Sequence, residues 1–201
     1  MIETRVKKKL GTFLLSVELA DEGFICLIGR NGSGKSTFMK VVAGQLPIDE
    51  GFVKVDGVEV SKMPVERRGV VLVTPGSSIP HLEVDKHLVW GARHRRVRVD
   101  LARVALVKER LGIDFTGRAS ALSLGMKERL ALATALLSEP RVILVDEAFS
   151  NLHDRRGFIS SYRTLATEAG IDVIFSTQDE ADASLADHVY SMSEGVLTRC
   201  P

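Results

Sequence analysis

The chain has 201 residues, 45% of them hydrophobic and 26% charged, with a formal net charge of +1. That is enough chain for one domain with a sizeable core, and the balance of charge excludes a strong global field toward nucleic acid or anionic membrane. No apolar run approaches the ~20 residues a membrane helix needs, and the basic start has no apolar h-region behind it, so neither a membrane span nor a signal peptide is expected.

Residues 12–19 and 52–60 read as antiparallel strands, the second crossing the turn pair Asp56-Gly57. Five short apolar runs, 24–28, 69–73, 142–145, 172–175 and 188–192, read as buried sheet strands. Helices are predicted over 35–43, 84–95, 100–111, 126–138, 154–169 and 179–186. Between Val73 and Arg141 there is helix and no convincing strand, so residues 75–140 read as a helical subdomain inserted into a sheet domain. The expected fold is α/β, one domain over 1–201, with a mostly parallel core sheet and an N-terminal antiparallel β subdomain. Cys26 and Cys200 suggest no disulfide framework, and a reducing cytoplasm is the expected compartment. Amides are scarce: Asn31, Asn151, Gln45 and Gln178 are the full set. Heat adaptation produces such scarcity, and so does compositional drift.

The strongest chemical signal is Gly29-Arg-Asn-Gly-Ser-Gly-Lys-Ser-Thr37, which fits G-x-x-x-x-G-K-[ST]. It follows a predicted strand and opens a predicted helix, the context of a P-loop NTPase core. Its glycines, Gly32 and Gly34 among them, let the backbone N–H groups of Asn31–Thr37 turn inward as an anion nest that includes Ser33. The helix N-terminus adds partial positive charge. Lys35 is placed to reach the outer phosphates of a nucleotide and Ser36 to ligate Mg²⁺. The second half of the site is Arg141-Val-Ile-Leu-Val-Asp146-Glu147. A buried strand there ends in two carboxylates, at the sheet edge where open α/β sheets bind ligands. Asp146 would hold Mg²⁺ through its water shell, and Glu147 would polarise the attacking water.

With these two motifs and what lies between them, the chain resembles the ATP-binding subunits of ABC transporters over nearly its whole length. It looks most like importer ATPases for molybdate, tungstate and similar oxyanions. Lys9-Leu-Gly-Thr-Phe13, Pro64-Val-Glu-Arg-Arg-Gly69, Pro80-His-Leu-Glu-Val84 and Leu185-Ala-Asp-His-Val189 carry that narrower likeness. The resemblance implies an ATPase using ATP and Mg²⁺, with two cassettes facing head to tail around the nucleotide. It also implies integral-membrane permease partners, a place on the inner face of the cell membrane, and no nucleic acid. The signature L-S-G-G-Q aligns with Leu122-Ser-Leu-Gly-Met126, which puts Ser123 and Gly125 at the opposite subunit's ATP. Ser150-Asn-Leu-His-Asp154 looks like the D-loop, and Arg129 fills a basic position after the signature. By the same resemblance Phe13 stacks on the adenine; Leu10 aligns there as well, and Phe13 also fits plain strand core.

Three positions depart from the family pattern. Leu124 stands for the first signature glycine and Met126 for its glutamine. A leucine is penalised if that backbone needs positive φ or close approach to phosphate. Thr74 falls at the Q-loop glutamine, where a hydroxyl still binds metal but reaches less far. Gln178 falls at the switch histidine: its amide still donates a hydrogen bond but never becomes cationic. A glutamine here, in a chain with two, reads as a retained donor or as decay that tolerates any polar residue. None of the five histidines takes over that role; His87 and His94 read as surface residues. The basic run Arg93-His-Arg-Arg-Val-Arg98 reads as a solvated helix end or as a contact for an acidic segment of a membrane subunit. The leading functional expectation is an ATP-hydrolysing motor subunit of a prokaryotic importer. The alternatives are a weakly hydrolytic structural subunit, and a soluble cassette in DNA or translation work.

Overall fold

The computed structural model describes residues 1–98 and 100–201. Strands β1 (Ile2–Leu10) and β2 (Phe13–Asp21) form a hairpin, with Ile2 paired to Asp21 and Leu10 to Phe13. β3 (Phe24–Ile28) leads through the glycine-rich loop into α1 (Lys35–Ala43). A second hairpin, β4 (Glu50–Val55) and β5 (Val58–Glu59), turns at Asp56-Gly57, both at positive φ as that tight turn requires. β6 (Val70–Val73) is followed by α2 (Val84–His94), α3 (Leu101–Arg110) and α4 (Leu124–Leu137), then β7 (Val142–Val145). The chain closes with α5 (Arg155–Glu168), β8 (Asp172–Thr177), α6 (Glu180–Ala183), β9 (His188–Ser193) and β10 (Val196–Arg199).

All the strands join one sheet in the order β5-β4-β1-β2-β10-β9-β3-β8-β7-β6. From β9 to β6 the neighbours are parallel; from β5 to β2 they are antiparallel. The halves meet at a narrow seam. β10 pairs with β2 only at Val196 and Ser16, and the Ser16 amide also donates to the Gly195 carbonyl (2.8 Å).

Two readings of the sequence need correction. β1 was not expected, yet it lies between β2 and β4, so the runs 12–19 and 52–60 each pair with β1 and not with each other. Its inward residues Ile2, Thr4 and Val6 do alternate with outward charge, but Lys7-Lys8-Lys9 masks the period. The helix expected over 179–186 has only the four residues of α6. The amides of Leu185 and Ala186 bond three residues back, which tightens the last turn and ends the helix.

Alternation along the central strands divides the core. Ile25, Leu27, Val142, Leu144 and Ile174 point to one face, where the sheet curls over α1 and meets Ile2, Leu15 and Val53. Phe24, Cys26, Ile143, Val145, Val173 and Phe175 point to the other face and pack under α2, α4 and α5. All these side chains are essentially fully buried, worth ~1.5–3 kcal/mol each. The parallel core is thereby packed on both faces, and its C-terminal edge holds the loops that carry the polar chemistry.

Candidate functional site

The glycine-rich loop wraps the N-terminus of α1. Gly32 and Gly34 sit at φ 79° and 115°, a region other residues avoid. A Cβ on Gly34 would lie 2.9 Å from the Phe13 ring tip and 3.3 Å from the Met192 sulfur. The loop is therefore closed in from behind and opens one way, into a cleft of about 450 Å³. Leu10, Phe13, Asn31, Gly32, Gly34, Lys35, Ser36, Thr37 and Glu147 line it. Phe13 and Leu10 together form its apolar wall, so both candidates for the base platform stand there.

Lys35 is buried, and its ammonium donates to the carbonyls of Gly29 (2.6 Å) and Arg30 (3.0 Å). Burial lowers its pKa; the charges of Glu147 and Asp146 oppose that and help keep the cation. Among the described residues the buried Ser33 hydroxyl has no partner, and so suits an added oxygen ligand.

Asp146 and Glu147 follow β7 as predicted. The Asp146 carboxylate is buried and accepts a hydrogen bond from the Ser176 hydroxyl at 2.9 Å. Glu147 has φ 58°, a left-handed backbone that nothing in its residue type announces. It borders the nucleotide-sized cleft and also a second one lined by Ser150, Arg155, Thr177, Gln178, Asp179 and Glu180. Gln178 reaches back from β8: its amide donates to the Asn31 side-chain oxygen at 2.8 Å, tying the switch position to the phosphate loop. Thr74, at the end of β6, shares its hydroxyl with Ser77 (3.2 Å) and lines neither cleft.

The signature residues also stand away from both clefts. Ser123 caps α4, accepting from the Met126 amide at 3.3 Å. Leu124 is the first helical residue, has no positive φ and is half exposed, so the feared backbone penalty does not arise. Met126 packs against the apolar core, which explains its apolar character. A Cβ on Gly125 would come within 3.1 Å of the Asn151 carbonyl.

Some contacts escaped the sequence reading, including those of Arg129, a residue the resemblance singles out. Glu128, buried on α4, accepts from the Asn151 amide at 2.8 Å. Arg129 donates to the carbonyls of Leu111 (3.2 Å) and His153 (3.0 Å). Together they clamp the segment after Glu147 onto α4. Arg155 pairs with Asp179 and Asp182, and lines the second cleft together with Gln178. His87, expected at the surface, is buried: its Nε2 accepts from the Ile79 amide (2.9 Å) and its Nδ1 contacts the Thr134 hydroxyl (2.8 Å). His94 is exposed, as expected, and stacks on Trp90.

A family model, ABC transporter, matches residues 14–150, more than half of the chain. The chain belongs to the ABC transporter ATP-binding family. Members of this family are ATPases that use ATP with Mg²⁺. The molybdate/tungstate import ATP-binding protein of Archaeoglobus fulgidus is 34% identical over 96% of this cassette and 84% of its own length. The thiamine import ATP-binding protein of Jannaschia sp. is 36% identical over 94% and 87% respectively. Among solved structures, the dimeric cassette MJ0796 matches with a TM-score of 0.83 at 22% identity, over 99% of this cassette and 97% of that chain. That likeness establishes the fold, a P-loop NTPase core in a mixed sheet. Among the described residues no cluster of three His, Cys, Asp or Glu is placed to hold a metal alone. The donor set does fit Mg²⁺ in the family's way, since a hard cation takes one or two protein oxygens and the rest from phosphate and water. Ser36 lines the cleft, and Asp146 precedes Glu147, which also lines it, and lies near enough to Lys35 for its charge to act there. No helix among the described residues is long and apolar enough to cross a membrane.

Proposed function

We propose that this cassette is the ATP-hydrolysing motor subunit of a prokaryotic importer, acting peripherally on the cytoplasmic side of the membrane through permease subunits. The observation that carries the proposal is the meeting of the phosphate loop, Glu147 and Gln178 around adjoining clefts. Bound Mg·ATP supplies the phosphoanhydride to be cleaved and the cation that offsets its charge. The chain's own groups do the rest. The Asn31–Thr37 amides and Lys35 hold the phosphates, Ser36 and Asp146 position the cation, and Phe13 with Leu10 supports the base. Thr74, which lies outside both clefts, would reach a cation only through a water. Glu147 takes the proton of the attacking water, and Gln178 donates a hydrogen bond to the outer phosphate.

Ser123 and Gly125 complete the site of a second cassette, which agrees with their place outside both clefts. The helical block 75–140 acts as a subdomain that meets the permease. Supporting this, a cavity of about 800 Å³ opens beside α2, lined by Val71, Ile79, Trp90, Arg95 and Arg96. Its apolar floor and basic rim suit an amphipathic acidic segment.

The test uses Lys35→Ala and Glu147→Gln. Lys35→Ala should lose Mg·ATP binding by calorimetry while keeping its melting profile. Glu147→Gln should bind ATP, hydrolyse it at least ~100-fold more slowly, and form more dimer by light scattering with ATP than without. Wild-type turnover no faster than that of Glu147→Gln would remove the motor reading.

A further inference from the structure

β8 is apolar through Val173, Ile174 and Phe175, and then carries a buried hydroxyl, Ser176. A hydroxyl inside a parallel sheet costs free energy unless it is hydrogen-bonded. Ser176 is bonded twice. Its single proton goes to Asp146 Oδ1 at 2.9 Å, and its oxygen accepts the Glu147 amide at 3.0 Å. The Asp146 amide is itself tied to the Val73 carbonyl at 2.8 Å. The two successive amides of the carboxylate turn are thus tethered to the strands on either side, β6 and β8.

Both bonds bear on the chemistry. Occupying Oδ1 restrains the rotamer of the Asp146 carboxylate and leaves its other oxygen available to a cation. The second bond holds Glu147 in its left-handed conformation (φ 58°), which a non-glycine residue keeps only when its surroundings over-determine it. That conformation sets where the Glu147 carboxylate leaves the backbone. Ser176 is also two residues before Gln178, whose amide reaches Asn31 in the phosphate loop. The end of β8 therefore sets the two carboxylates and the switch donor from one short piece of chain.

We propose that Ser176 is a positioning residue of the ATP site, setting the Asp146 rotamer and the Glu147 turn. This rests on the assignment of Asp146 to the cation and Glu147 to the attacking water. It acts on Mg²⁺ affinity and turnover, and leaves the grip on ATP at saturating Mg²⁺ alone.

The experiment compares wild type with Ser176→Ala in steady-state hydrolysis, and Glu147→Gln with Glu147→Gln/Ser176→Ala in calorimetric titration of Mg²⁺ into protein with ATP. Ser176→Ala should lower kcat about tenfold, the usual scale for one hydrogen bond to a charged group, with KM for ATP within about twofold. In the non-hydrolysing pair the half-saturating Mg²⁺ concentration should rise at least about threefold. Equal kcat and equal Mg²⁺ dependence would overturn the proposal. So would a fall in kcat with unchanged Mg²⁺ dependence and a lowered melting temperature, which marks a purely structural serine. If wild type itself is no faster than Glu147→Gln, the catalytic reading of Glu147 fails, and the Mg²⁺ titration still decides the role of Ser176.

Discussion

His87 offers the sharpest test of the packing, because its geometry dictates a tautomer. Ile79 donates its amide proton to Nε2, so that nitrogen carries none. The Thr134 hydroxyl spends its proton on backbone carbonyls, those of Leu130 (2.8 Å) and His87 itself (3.2 Å). Nδ1 must then be the protonated nitrogen and donate to Thr134. Protonating Nε2 would set two N–H groups against each other, and burial already lowers the pKa of His87. The native state therefore binds this proton less well than the unfolded chain, whose histidine titrates near ~6.5. Stability from this residue is whole above about pH 6.5 and falls below it by up to ~1.4 kcal/mol per pH unit until the folded pKa is reached. His87→Asn removes that dependence and, by leaving the Ile79 amide unpaired, costs ~1–3 kcal/mol at pH 8. Urea unfolding of both proteins from pH 8 to pH 5 gives the difference directly, since every other titrating group cancels. A difference that stays constant over that range would refute the argument, as would imidazole nitrogen shifts placing the proton on Nε2.

Other outcomes follow from the cleft. Gln178→His should raise kcat with little change in KM for ATP, because an imidazole can carry charge in the transition state; steady-state kinetics decides it. Away from the cleft, the half-exposed Leu124 would crowd a facing cassette, so Leu124→Gly should strengthen ATP-driven dimerisation of the Glu147→Gln protein by light scattering, while costing at most ~1 kcal/mol of helix stability. Gly34→Ala forces a Cβ against Phe13 and Met192 at φ 115°, so it should cost ~1–3 kcal/mol in thermal unfolding and abolish Mg·ATP binding. Trimming the ring with Phe13→Ala should not restore that binding, because the backbone strain remains.

The placement of the candidate site was largely legible because it is local. Nine consecutive residues from Gly29 to Thr37 specify a nest, and a carboxylate pair after Val145 needs only its strand. What stayed hidden depends on partners distant in sequence. The left-handed turn at Glu147 follows from tethers to Val73 and Ser176, which no window around Glu147 contains. His87 was misread because a polar residue on a helix is usually exposed, and the bond that lets it be buried, Nδ1–H to the Thr134 hydroxyl, reaches 47 residues along the chain. Strand β10 escaped because its turn is Glu194-Gly195, both at positive φ, and not one of the commoner asparagine or aspartate pairs. For Leu124 the fear of strain came from aligning a glycine; the helix begins there and accepts any side chain.

The seam at β10 makes the two walls of the cleft mechanically one. Gly195 donates its amide to the Ser33 carbonyl in the phosphate loop (2.8 Å) and accepts the Ser16 amide from β2 (2.8 Å), so a single residue spans from one wall to the other. A Cβ there would sit 2.2 Å from the Leu14 carbonyl, so the span exists only because the residue has no side chain. Phe13, three residues before Ser16, belongs to the wall that would meet the base, and Ser33 to the wall that would meet the phosphates. A nucleotide resting its base on Phe13 and its phosphates on the loop would then meet two linked parts, and would gain from holding both ends more than the two ends would yield when bound separately.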